Sequence, residues 1–204
     1  MTIKVLGLST SPRANGNSDL LLRQALAGAQ SAGASVEYIK LSDLNIAPCS
    51  ECNWCYTTGK CRIQDDYQIL AEKLLNTDRL IFATPIFFMS VCAQAKALID
   101  RSQCYWAHKY VLKKQLDARQ DRRAMVIAVG GSKSTKMFES IRLTMKSYFD
   151  AIEIRHVANL FVNKVSDAGQ IQKHPSAMKE AFRLGKELIT ASALPEKPID
   201  IELT

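Results

Sequence analysis

Four cysteines stand close together in the chain, Cys49, Cys52, Cys55 and Cys61, spaced C-x2-C-x2-C-x5-C within 13 residues. Four thiolates this near one another can wrap a single small metal centre. Zinc sites built from four cysteines are usually made instead of two C-x2-C knuckles with a longer stretch between them. A second group lies near the N-terminus. Ser9, Thr10, Ser11, Pro12 and Arg13, then Gly16, Asn17 and Ser18, fall where an apolar run ends and a helical pattern begins. Free backbone N–H groups and the positive end of the helix dipole make such a junction an anion site. The hydroxyls of Ser9, Thr10, Ser11 and Ser18, the Arg13 fork and the Asn17 amide can add donors to it. The loop has neither G-x-G-x-x-G nor G-x4-G-K-[ST], so a monophosphate suits it better than a pyrophosphate. Helix capping alone would need only one of Asn17 and Ser18.

The elements that must carry these groups follow from periodicity. Ile3–Leu8 reads as a buried strand, Ser35–Leu41 is strand-like, Leu80–Thr84 and Ala124–Val129 read as short apolar strands, and Glu153–Phe161 as a longer one. Between them, helical spacing runs over Asn17–Ala32, Tyr67–Leu75, Val91–Arg101, Lys136–Tyr148 and Ser176–Ala191, with Gly33 as a helix stop. Strands alternating with helices imply parallel pairing through right-handed crossovers, with both sheet faces covered. The expectation is one α/β domain over residues 1–192: a doubly wound, five-stranded parallel sheet with helices on both faces. The cysteine-rich segment 42–65 is a long insertion, of the kind that usually carries function. Residues 193–204, with Pro195 and Pro198, are expected as an exposed C-terminal tail.

Here the residues resemble a known family. Ser9-Thr10-Ser11-Pro12-Arg13 with Gly16-Asn17-Ser18 is similar to the phosphate loop of flavodoxin-like NAD(P)H-dependent FMN reductases. Thr84–Ser90, followed by Ala93–Arg101, resembles the family's loop after the third strand and the helix behind it. Val129–Ser132 resembles its last flavin loop. The resemblance covers residues 1–165 and implies a flavodoxin-like fold that binds FMN. It implies a phosphate held by Ser9, Ser11, Pro12, Arg13, Asn17 and Ser18. The ring would lie against Pro85, Ile86, Phe87 and Phe88 on one side and Gly130, Gly131 and Ser132 on the other. Two positions depart from the family, Thr10 and Met89, where glycine is usual. Thr10 is expected to face the phosphate, and Met89 to crowd or shield the ring.

Three cysteines at successive x2 spacing match ferredoxin cluster loops, whose thiolates each take one iron. The whole pattern resembles that of iron–sulfur flavoproteins, a branch of the same family whose loop ligates a [4Fe–4S] cluster. That resemblance implies Cys49, Cys52, Cys55 and Cys61 as ligands; zinc or free thiols are the alternatives that the residues leave open. Cys92 and Cys104, outside the loop, read as buried small hydrophobes.

The reaction so implied is electron transfer from NAD(P)H through FMN, by way of a cluster, to a small-molecule or protein acceptor. Hydride transfer to flavin needs stacking and alignment more than a side-chain acid or base, so no catalytic residue is assigned. The alternative is an electron-transfer iron–sulfur flavoprotein reduced by ferredoxin. The resemblance also implies a homodimer or homotetramer.

Composition bounds the partners. The chain has 204 residues, 47% of them hydrophobic, and a net charge of +7. Residues 101–123 hold seven basic side chains against Asp117 and Asp121, +5 of that total. A solvated surface is the expected reading of this run, with a polyanion-binding domain or recruitment of a phosphorylated nicotinamide as the sharper ones. No nucleic-acid motif accompanies it. The first apolar run is too short for a signal peptide, and Leu80–Ala95 falls short of the ~20 residues that a membrane helix needs. The expectation is a cytoplasmic protein with its cysteines reduced.

Overall fold

Each expected strand is present within a few residues of its sequence limits, and all but Ser35–Lys40, which is partly exposed at the sheet edge, are largely buried on both faces. The computed structural model describes residues 2–116 and 121–204, so Asp117 and Arg119 of the basic run lie outside the described residues. The chain runs β1 (Lys4–Ser9), α1 (Asn17–Ser31), β2 (Ser35–Lys40), α2 (Cys55–Thr58), α3 (Tyr67–Asn76), β3 (Arg79–Phe87) and β4 (Ser90–Val91). It continues with α4 (Ala93–Arg101), α5 (Gln103–Trp106), β5 (Arg123–Val129), α6 (Met137–Ala151), β6 (Arg155–Val162), α7 (Ala177–Thr190) and β7 (Ile199–Leu203).

Among the described residues the sheet order is β2-β1-β3-β5-β6-β7, every neighbour parallel. With the stub β4 set aside, the first five form the flavodoxin-like order, whose switch point lies between β1 and β3. Side chains alternate across the strands. Leu6, Leu8, Phe82, Val126 and Phe161 join a core with α3, α4 and α6, while Val5, Ile81, Ile127 and Leu160 join another with α1 and α7. Each such leucine, phenylalanine or isoleucine contributes about 1.5–3 kcal/mol by leaving water. The two helices of the second core touch backbone to backbone. A Cβ on Gly28 would stand 2.0 Å from the Phe182 carbonyl oxygen, and one on Gly185 would stand 1.9 Å from that of Ala25.

Three features differ from the sequence reading. The tail is not free: β7 extends the sheet beyond β6, and Arg142 of α6 pairs with Asp200 (2.8 Å) and with Glu202. β3 runs past the sheet and turns back into β4 as a hairpin, with Ile86 opposite Val91 and Phe87 opposite Ser90. The basic run is no single patch. Arg101, Arg122 and Arg123 are buried. Arg122 donates to the carbonyls of Thr77, Ile152 and Leu74, and Arg123 to Asp121 and the Ala191 carbonyl. Lys109 pairs with Asp150 at 2.8 Å. These cations fasten helix ends and loops, which removes most of the charge that a polyanion would meet.

Candidate functional site

The loops after β1, β3, β5 and β6 meet at the carboxyl edge of the sheet and enclose a pocket of about 190 Å³. Ser11, Arg13, Gly16, Asn17 and Ser18 line it from the first loop, Pro85–Phe87 from the second, Val129–Gly131 from the third, and Val165 with Ser166 from the fourth. Open α/β sheets bind ligands at this edge and switch point. Gly16 precedes α1 with no side-chain cap, and the first intrahelical bond is Leu20 N–H to the Gly16 carbonyl at 2.9 Å. The opening N–H groups of α1 therefore have no acceptor within their own helix. The Ser18 hydroxyl is buried beside them without a hydrogen-bond partner. A buried donor left so costs about 1–3 kcal/mol unless a ligand accepts from it. A Cβ at 16 would stand 2.3 Å from Ser11 Oγ, so any larger residue there would displace that hydroxyl from its place in the pocket.

Not every expected residue lines this pocket. Ser9 is fully buried with its hydroxyl unpartnered, Pro12 and Ser132 are exposed outside the pocket lining, and Phe88 stands wholly in solvent. Asn17 is already engaged: its Nδ2 donates to the Asp167 carbonyl at 2.9 Å, and its Oδ1 accepts from Ile171 N–H at 3.2 Å. Arg13 Nη1 likewise reaches the Ser166 carbonyl at 3.3 Å. Both residues brace the fourth loop against the first. Thr10 faces away from the pocket; it is buried, and Cys92 Sγ lies 3.1 Å from its carbonyl and 3.2 Å from its hydroxyl. Cys92 and Cys104 are buried as expected. Burial lifts the Cys104 thiol to about 11, against a weaker opposing bond from Tyr67.

Sequence reasoning quoted Gly16 and Val129 in their loops without assigning them to the site, and it missed Val165 and Ser166 as lining residues. The signal was available for the last two, since they follow a strand whose carboxyl end lies on the same edge. The hairpin explains the departure at Met89. Phe88 and Met89 have φ of 48° and 64°, the left-handed pair that a two-residue hairpin turn demands. Each non-glycine residue there costs about 1–2 kcal/mol. Met89 is set at the turn of an exposed tip and does not line the pocket.

The cysteine loop forms a separate place. Cys49 and Cys52 are exposed, Cys55 and Cys61 half-buried, and all four line one cavity of about 520 Å³. Its far wall comes from the C-terminal parts of α4 and α6, including Arg101 and Tyr148, and it shares no residue with the first pocket. Burial raises the Cys55 thiol, and the neighbouring Cys49, Cys52 and Cys61 raise it further. The Trp54 backbone bond lowers that of Cys52, helped by Ser50 and Arg62. Four soft sulfur donors facing one cavity fit an iron–sulfur centre by ligand type and room. As the loop stands, no three Cys, His, Asp or Glu side chains among the described residues are gathered closely enough to hold a metal ion.

Residues 3–165 match the model of the NADPH-dependent FMN reductases. The chain belongs to that family. Within it, an iron–sulfur flavoprotein of Methanocaldococcus jannaschii is 43% identical over 101 residues, covering 50% of this chain and 52% of the relative. One from Methanosarcina thermophila is 32% identical over 132 residues, 65% of each chain. Both similarities span less than two thirds of the relative's length. The solved NAD(P)H:quinone oxidoreductase from Methanothermobacter marburgensis superposes with a TM-score of 0.73 at 18% identity, over 96% of this chain and 100% of that one. That likeness confirms the flavodoxin-like fold of this FMN reductase family member. No helix among the described residues is long and apolar enough to cross a membrane.

Proposed function

We propose that the protein is an FMN-dependent oxidoreductase that takes electrons from NAD(P)H and delivers them to a small-molecule or protein acceptor. The observation that carries this is the pocket at the switch point, with an unpartnered buried hydroxyl at the open N-terminus of α1. The Ser11 and Ser18 hydroxyls, the Arg13 guanidinium and the first N–H groups of α1 hold the phosphate. Pro85, Ile86 and Phe87 give the ring an apolar wall, and Gly130 and Gly131 let backbone approach it closely. FMN, when bound, supplies a two-electron acceptor that can release its electrons singly.

Cys49, Cys52, Cys55 and Cys61 are the proposed ligands of a [4Fe–4S] cluster, supported by their shared cavity and by the names of the relatives. A homodimer or homotetramer belongs to the same reading; its support is the apolar Phe87–Met89 tip left in solvent beside the pocket.

The test is titration of anaerobically prepared apoprotein with FMN, FAD and riboflavin, then with NADPH or NADH. FMN should bind best and be bleached by a nicotinamide. Riboflavin binding as tight as FMN would remove the phosphate site. FMN that bleaches with reduced ferredoxin and with neither nicotinamide would favour the electron-transfer alternative.

A further inference from the structure

Arg101 ends α4 with its side chain fully buried, and its guanidinium points into the cysteine loop. A guanidinium has five N–H donors in a fixed fork. Here each has an acceptor. Nη1 donates to Asp65 Oδ2 at 2.7 Å and the Ala47 carbonyl at 2.9 Å, and Nη2 donates to Asp65 Oδ1 and the Ile63 carbonyl, both at 3.1 Å. Those four bonds tie both flanks of the loop to one rigid group, stacked 4.5 Å over the Tyr67 ring. The fifth, Nε–H, donates to Cys61 Sγ at 3.2 Å.

The choice of acceptor is informative. A neutral thiol accepts weakly, whereas a sulfur carrying negative charge accepts a charge-assisted bond about twice as strong as a neutral one. Asp65 already balances the charge of Arg101, so Nε–H acts on Cys61 as a directed dipole held in place from the other side. Hydrogen bonds to ligating sulfurs are among the factors that set the reduction potential of an iron–sulfur centre, because they favour the more negatively charged reduced state.

We propose that Arg101 is a positioning residue for the metal centre, holding Cys61 in the cavity and raising the centre's reduction potential through its Nε–H···S bond. This rests on the cluster reading above. Lysine at this position can keep the ion pair with Asp65 as a point charge, but it has no fork to serve Asp65, the carbonyls and the sulfur together.

The experiment compares wild type with Arg101→Lys, both FMN-loaded and reconstituted anaerobically with iron and sulfide, with bound FMN as the check of folding. Arg101→Lys should keep one FMN per chain, hold less than half the wild-type iron, and show a midpoint potential shifted to more negative values. An unchanged potential overturns the proposal whatever the iron content, since loss of iron alone would follow from any structural role. Should the variant hold no iron, wild type labelled with ¹⁵N at arginine decides. One side-chain Nε–H signal should be displaced when iron is loaded, and a spectrum that ignores loading overturns the proposal. Wild-type protein that takes up no iron overturns the cluster reading, and this inference with it; equal potentials in iron-loaded proteins overturn this inference alone.

Discussion

The switch-point pocket, proposed to hold the phosphate, and the cysteine loop are built on opposite plans. The pocket is made from the ends of regular elements, four strand ends and one helix start, so its geometry is inherited from the sheet. The cysteine loop has little regular structure beyond the four residues of α2, and takes left-handed backbone at Glu51 and Asn53. Buried polar groups tie it to the domain, Asp65 and Arg101 foremost, beside the packing of Ile46, Cys55 and Cys61 against the core. A site fixed by the sheet can bind a preformed rigid ligand. A site fixed by a few buried bonds can gather its thiols around something assembled in place.

The largest effect should come from the loop alone. Cys55→Ser replaces a soft thiolate by a hydroxyl and should lose most of the bound iron, measured chemically in anaerobic protein. It should retain FMN in full, since the two sites share no lining residue. Loss of both together would erase the contrast between the two sites.

Asp65→Ala leaves the Arg101 guanidinium buried without its carboxylate, which costs about 3–5 kcal/mol for a pair of this kind. Chemical denaturation followed at Trp54, which lies in the loop, should show it. The same pair gives a pH dependence. Burial alone would raise the Asp65 pKa, but the bonds from Arg101, Ala47 N–H and Tyr67 N–H outweigh it and hold the pKa below 3.8. A carboxyl depressed on folding stabilises fully above its unfolded value and ceases to do so as pH falls through its folded one. The loop should therefore loosen below about pH 4, and Asp65→Ala should lack that transition.

Arg13→Ala should weaken FMN binding by about 1.5–3 kcal/mol, the range for hydrogen bonds to charged groups, with iron content unchanged. Fluorescence titration of the flavin measures it. The smallest effect belongs to the hairpin. Met89→Gly should raise stability by about 1 kcal/mol, because it relieves a left-handed side-chain residue at φ 64°. A lowered denaturation midpoint would mean that Met89 makes a contact worth more than its strain.

The sheet could be read in the sequence because parallel strands buried on both faces leave continuous apolar runs, as in Ala124–Val129. β7 could not. Ile199–Leu203 alternates apolar and acidic residues after two prolines, and its order depends on Arg142, 58 residues away from Asp200. The basic run was misjudged for a related reason. Whether an arginine is solvated or buried depends on helix-end carbonyls such as those of Leu74 and Ile152, which no local pattern reveals. In the phosphate loop the residue types were informative and their directions were not. Thr10 and Ser11 are adjacent hydroxyls; the first faces Cys92 in the interior and the second the pocket.

The paired glycines of α1 and α7 have a consequence for motion. With carbonyls of one helix against α-carbons of the other, no side chain cushions the contact, and neither helix can shift without the other. The first turn of α1 is also the proposed anion site. Fixing that turn with a bound phosphate should therefore slow amide hydrogen exchange along Ala181–Leu188 of α7, which lines neither pocket nor cavity. Occupancy of the cofactor site would then be reported by the far helix, on a timescale set by local opening.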